Sequence, residues 1–189
     1  MPDAVQSVLA YFILPIWFLA GIADWLCHRA TDIEHTTGAK ESIIHLLMFG
    51  EIAVPLIACL FLDINALVFL IMIAAFLAHE ATALWDVSYA VKRRWVSPFE
   101  QHVHSFLELV PLMAGLFIGL LHWQQLLALF GLADEAPRFT LAWKDPPLSL
   151  GAIAAVLGGA VVLELLPYSE ELWRSFRGGH GRLVPPQRS

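Results

Sequence analysis

Apolar residues run through this chain in unbroken blocks and not in alternation. Near 5–27, 42–62, 65–88, 103–131 and 148–167 the sequence carries stretches such as LVFLIMIAAFLA and LVPLMAGLFIGLL, with the polar residues gathered between them. A helix crossing the hydrocarbon core of a bilayer needs about 20 mainly apolar residues. A lone strand in lipid would leave its backbone polar groups unpaired, which disfavours β structure. The pattern therefore predicts an all-α fold, a polytopic integral membrane bundle of about five transmembrane helices. Only "DIN" separates the second and third blocks, the mark of a tight helical hairpin. Pro15, Pro55 and Pro111 lie inside spans and are expected to kink them.

Composition agrees with the pattern. Of 189 residues 58% are hydrophobic and 15% charged, with a mean hydropathy of +0.67, where a soluble domain carries about 25% charged residues. The net charge of −6 and the lack of a basic patch with interleaved aromatics give no support to nucleic-acid binding. Cys27 and Cys59 fall near opposite ends of neighbouring spans, so no disulfide is expected. The start has Asp3 and no basic residue before Arg29, so the first block is expected to be a retained helix and not a signal peptide.

Basic residues set the expected orientation. Five spans put the 28–41 loop, the 89–102 loop and the C-terminal segment on one side, with Arg29, Lys40, Lys92, Arg93, Arg94, Arg174, Arg177, Arg182 and Arg188. The other side holds only Arg138 and Lys144. The N-terminus is expected outside and the C-terminus in the cytoplasm, in a bacterial inner (plasma) membrane. Residues 1–170 are read as one transmembrane domain and 171–189 as a basic cytoplasmic tail. The fifth block, with Gly151, Ala155 and Gly159 at small-xxx-small spacing, reads as a structural wall.

The ionisable residues then fall at one end of the bundle. Asp24 and His28 close the first span; Glu41 and His45 open the second; His79, Glu80 and Asp86 close the third; Glu100, His102, His104 and Glu108 open the fourth. Asp24/His28, Glu41/His45, Glu100/His104 and His104/Glu108 are four residues apart and so share a helix face. His79 and Asp86, seven apart, do likewise. Four such faces turned inward form a ring of imidazoles and carboxylates, the donor set bundles use for metal ions. A buried charge in lipid costs several kcal/mol unless paired or coordinated, and a divalent metal answers both needs. The expected metal ligands are Asp24, His28, Glu41, His45, His79, Asp86, His104 and Glu108, with Glu80 and Glu100 as groups that orient a histidine or move protons. Glu34 and His35 are read as a solvated loop, His102 as pointing away from the His104 face, Glu51 as off the His45 face, and His122 and His180 as outside the site.

The HxxxH and HxxHH boxes of membrane histidine-cluster oxidases and the ExxH spacing of di-iron bundles are absent. The expectation rests on ligand chemistry alone: a membrane metalloenzyme with a His/carboxylate, di-iron centre at the cytoplasmic face, hydroxylating or desaturating a hydrophobic or lipid substrate with electrons from a donor. A zinc hydrolase of a lipid amide or ester is the second reading. A haem or electron-transfer subunit, or a metal or proton transporter, is the third.

Overall fold

The computed structural model describes residues 2–186; residue 1 and residues 187–189, Arg188 of the tail among them, lie outside the described residues. Five helices are long and apolar enough to cross a membrane: α1 (Asp3–Ala30), α2 (Ala39–Phe61), α3 (Ala66–Ala90), α4 (Pro98–Leu121) and, after the short α5 (Trp123–Leu129), α6 (Leu150–Gly178). The one departure from helix and loop among the described residues is a single bridge between Leu62 and Trp143. Antiparallel connection brings the C-terminal ends of α1, α3 and α6 and the N-terminal ends of α2 and α4 to one end of the bundle.

Local sequence explains where the helices start. Ser97 accepts from the Glu100 amide, with Pro98 as the first residue of α4. The Asn65 carboxamide accepts from Leu67 and Val68 at the head of α3, and Ser149 from Ala152 at the head of α6. Each side chain satisfies amides that the first turn leaves free. Gly38 holds φ +74° just before α2, and a Cβ there would also collide with Pro185.

Two of the sequence boundaries move. The fourth block was expected to run as one helix over 103–131; it begins at Pro98 and ends at Leu121, and α5 follows a break at His122. His122 leaves the helical region there (φ −123°, ψ 42°), so the chain turns at the far end. The fifth was expected to end at 167, yet α6 continues to Gly178, so the division at 170/171 falls within a continuous helix. A π-helical turn at Val161–Leu165 interrupts it and resets the register of the residues that follow.

Ile13, Trp17, Val110 and Ala160 pack as one apolar core below the ionisable end, with the Trp17 and Phe49 rings stacked at 6.5 Å. Ala58, Ile64, Val68 and Phe69 form a second at the other end. Large apolar side chains such as Leu19, Leu77, Leu116 and Leu150 are exposed around the bundle, the surface a helix presents to lipid. At the far end the 131–149 loop is tied down by Arg138 on Asp63 (2.7 Å) and by Asn65 Nδ2 donating to the Thr140 carbonyl.

Candidate metal centre

His28 leaves the last turn of α1 and His45 the second turn of α2, and their rings lie face to face, 4.4 Å apart and 5° from parallel. One carboxylate holds both. Glu171 of α6 accepts from His28 Nδ1 at 2.8 Å and from His45 Nδ1 at 2.9 Å. A carboxylate only accepts, so each ring carries its proton on Nδ1 there, and in the neutral ring Nε2 keeps a lone pair. Both Nε2 atoms leave the stack in one direction, and neither has a hydrogen-bond partner.

Carboxylates and a third histidine meet them. His28 Nε2 lies 3.4 Å from Asp24 Oδ1 and 3.5 Å from Glu100 Oε1; His45 Nε2 lies 3.4 Å from Asp86 Oδ1. His104 Nε2 is 2.9 Å from Asp24 Oδ1, yet too poorly aligned to satisfy that oxygen with a hydrogen bond. Donor atoms bound to one ion at about 2.0–2.2 Å stand about 3.0–3.5 Å from one another, which is this set of distances. His28, Glu100 and His104 form one group whose donor atoms could surround such a point, Asp24, His28 and His45 a second, and Glu41, His45 and Asp86 a third. Asp24 offers one carboxylate oxygen within 4.8 Å of ring nitrogens of both His28 and His45. Its Oδ2 accepts from the Tyr168 hydroxyl at 3.1 Å.

Charge decides what the cluster requires. Among the described residues Asp24, Glu41, Asp86, Glu100, Glu164 and Glu171 are each 2% exposed or less, and the one buried arginine or lysine beside them is Arg94. It donates to Glu41 (2.7 Å) and Glu100 (2.5 Å) and to Thr31. Burial would lower the guanidinium's pKa, but those hydrogen bonds and the two carboxylate charges hold it above its ordinary value. One guanidinium cannot balance these carboxyl groups, and divalent ions held by the neighbouring imidazoles would offset their charge. Carboxylates packed this closely in a low-dielectric bundle end are costly without such compensation.

Seven of the sequence-predicted residues converge here: Asp24, His28, Glu41, His45, Asp86, Glu100 and His104. His79 and Glu108 are outside these groups but share with Asp24, His45, Asp86 and His104 the wall of one cavity of about 60 Å³, whose apolar lining includes Trp17 and Phe49. Glu80 is not among the metal-binding groups but lies near enough to His79 and Glu108 for its charge to act on both. His35 pairs with Asp32 in the exposed loop, and Glu34 pairs with Arg174. His122, at the opposite end, has its pKa lowered by burial and by Lys144.

The sequence reading had no place for Glu171, Tyr168, Glu164 or Arg94. Glu164, Tyr168, Glu171 and Ser175 follow one another at four, three and four residues along α6 and are all buried, so the supposed wall carries a polar stripe into the site. That spacing was the available signal. Arg94 had none beyond its place in a basic loop. Compared with protein-family models, curated proteins and solved structures, the chain matches none of them.

Proposed function

We propose that the chain is an integral membrane metalloenzyme whose dinuclear His/carboxylate centre, filled by two iron ions, oxidises a hydrophobic substrate drawn from the bilayer. The observation that supports it most is the pair of stacked histidines whose Nδ1 atoms share Glu171 while both Nε2 lone pairs face Asp24, Asp86, Glu100 and His104. A ring spacing of 4.4 Å is close to the ~3.5–4 Å between the ions of two-metal sites. Imidazole with carboxylate suits iron among the available metals. Two iron ions would supply the electrons and O₂ chemistry of hydroxylation: one oxygen atom enters a C–H bond, and the other leaves as water after uptake of two electrons and two protons from a donor.

In this reading Asp24, His28, His45, Asp86 and His104 would hold the metal, and Glu100 would offer its unpartnered Oε2. Glu171 fixes the two imidazoles, Tyr168 steadies Asp24, and Arg94 holds Glu41 and Glu100 in place. The nine-to-two distribution of basic residues supports an orientation with this end in the cytoplasm.

One observation favours a second reading. Arg94 occupies both oxygens of Glu41, which thins the ligand set toward three histidines and two aspartates. Such a set also suits zinc, which would activate a water for hydrolysis of a lipid ester or amide. Elemental analysis of the gently purified protein, with its absorption spectrum, separates the two. About two iron per chain without haem bands supports oxidation, and about one zinc moves the assignment to hydrolysis. His45→Ala and His104→Ala should each lose metal while His122→Ala keeps it. Full metal content in all three would overturn the centre.

A further inference from the structure

Several basic residues at the ionisable end are paired with carboxylates. Arg94 lies on Glu41 and Glu100, Arg29 on Glu170, and Arg174 on Glu34 and Glu170. One corner of the bundle differs. Lys40, in the first turn of α2, and Lys92 and Arg93, just past the end of α3, form no ion pair with a carboxylate among the described residues.

Aromatic rings hold two of these three cations instead. Lys40 Nζ lies 4.5 Å from the centre of the Tyr89 ring and 5.6 Å from that of Trp85. The Arg93 guanidinium lies 5.2 Å from the centre of the same Tyr89 ring. The Tyr89 hydroxyl donates to the Thr37 carbonyl at 2.8 Å, which fixes the ring. A ring steadies a cation without neutralising it. Two positive charges at one ring repel one another, with the exposed Lys92 next in sequence, and an anion between them relieves that repulsion.

The surface that runs down from this corner is apolar and open. Lys40 heads a stripe on α2 that continues through Ile43, Leu47, Gly50 and Val54, all exposed. That spacing of three and four residues keeps one helix face. On α3 the exposed Trp85 continues into Ala81 and Ala78 in the same way. Because Lys40 reaches Trp85 and Tyr89, the two stripes start at one corner of the α2–α3 hairpin and run down it together. Gly50, Ala78 and Ala81 are small, which keeps the strip shallow, and a Cβ at Gly50 would meet nothing within 4 Å. Trp85 is 48% and Trp95 72% exposed, as indoles are where lipid headgroups meet hydrocarbon.

Charge and shape together select the occupant. A zwitterionic headgroup would bring an ammonium to three cations. A soluble phosphate compound would satisfy the charges and leave the apolar strip uncovered. A phospholipid with a negative headgroup fits both halves. We infer that Lys40, Lys92 and Arg93 form a binding site for the headgroup of an anionic phospholipid, one acyl chain of which lies along the strip below Lys40 and Trp85. The site is separate from the metal centre, and neither reading needs the other.

The test is native mass spectrometry of the full chain in a neutral detergent, titrated with phosphatidylglycerol or with phosphatidylcholine of the same chains. The wild type should bind its first phosphatidylglycerol at least about tenfold more tightly than phosphatidylcholine. Lys40→Gln and Arg93→Gln should each weaken phosphatidylglycerol about fivefold, the effect of one cation beside an anionic headgroup, and leave phosphatidylcholine within about twofold. Either variant serves if the other does not fold. Arg29 also lies over an indole, that of Trp25, but its charge is taken by Glu170. Arg29→Gln should therefore change phosphatidylglycerol binding by less than about twofold. Glycerol phosphate at the same concentration should not displace the lipid, because it has no chain to cover the strip. Equal wild-type affinity for the two lipids, no loss in Lys40→Gln and Arg93→Gln, or the same loss in Arg29→Gln would overturn the site. Displacement by glycerol phosphate would overturn it too and assign the three cations to a soluble phosphate compound.

Discussion

Glu171 controls two imidazoles with one side chain, and that economy can be tested. Replacing it by Gln keeps the shape but leaves one acceptor oxygen for two Nδ1–H donors. The amide's own NH₂ then faces an imidazole that already carries a proton. One of the two rings loses its fixed tautomer, and its Nε2 no longer presents a lone pair reliably. Changes to groups that orient ligating histidines cost about 10–100-fold in metal affinity. Glu171→Gln should fall in that range in a competition titration against a chelator of known affinity, with helical content unchanged. Affinity equal to the wild type would mean that the histidines do not bind through Nε2. The residue scale also shows what a sequence can carry. Asp24/His28, Glu41/His45 and Glu100/His104 were legible because helix geometry places residues four apart on one face. Arg94 was not, because basic residues beside a span report orientation first. Only the folded chain shows this one turned inward onto Glu41 and Glu100.

At the scale of elements, the site depends on α6 lying close against α1. Gly21 makes the approach possible, since a Cβ there would run into the Glu164 carboxylate, whose residue is 1% exposed. Gly159 does the same against the Phe18 ring. Gly158, its neighbour, has nothing within 4 Å. Gly21→Ala should therefore destabilise the fold by about 1–3 kcal/mol, the usual cost of overpacking a tight contact. Gly158→Ala should be neutral or slightly stabilising, because alanine favours the helix. The cost at Gly21 should shrink in a Glu164→Ala background, a coupling that a double-mutant cycle on thermal unfolding in nanodiscs reads directly. Equal costs in both backgrounds would place the strain elsewhere. Apolar runs of span length made the number of long helices legible. Their ends were less so. LLALF resumes the apolar run after HWQQ, so the fourth block reads through the turn at His122 that separates α5 from α4. α6 was cut short because its polarity rises after Leu166, although its polar face is buried in the site and not exposed to water.

For the whole molecule, the arrangement of five long helices makes a claim about sidedness that does not depend on the metal. The 28–41 loop, the 89–102 loop and the end of α6 must share one membrane face, and the 131–149 loop must lie on the other. With Cys27 and Cys59 first replaced by alanine, single cysteines at the exposed positions His35, Lys92 and Asp134 report this through a membrane-impermeant maleimide. In intact cells of a bacterial host, Asp134→Cys should label, while His35→Cys and Lys92→Cys should label only after permeabilisation. The reverse pattern would keep the bundle and overturn the proposed orientation, placing the ionisable end outside. Labelling of all three from one side would overturn the five-span topology itself. The distinction matters to the chemistry, because the ionisable end draws its metal and its electrons from whichever compartment it faces. A cytoplasmic face offers a reducing pool that can deliver iron in the ferrous state and recharge the centre between turnovers, which the oxidative reading requires and the hydrolytic one does not.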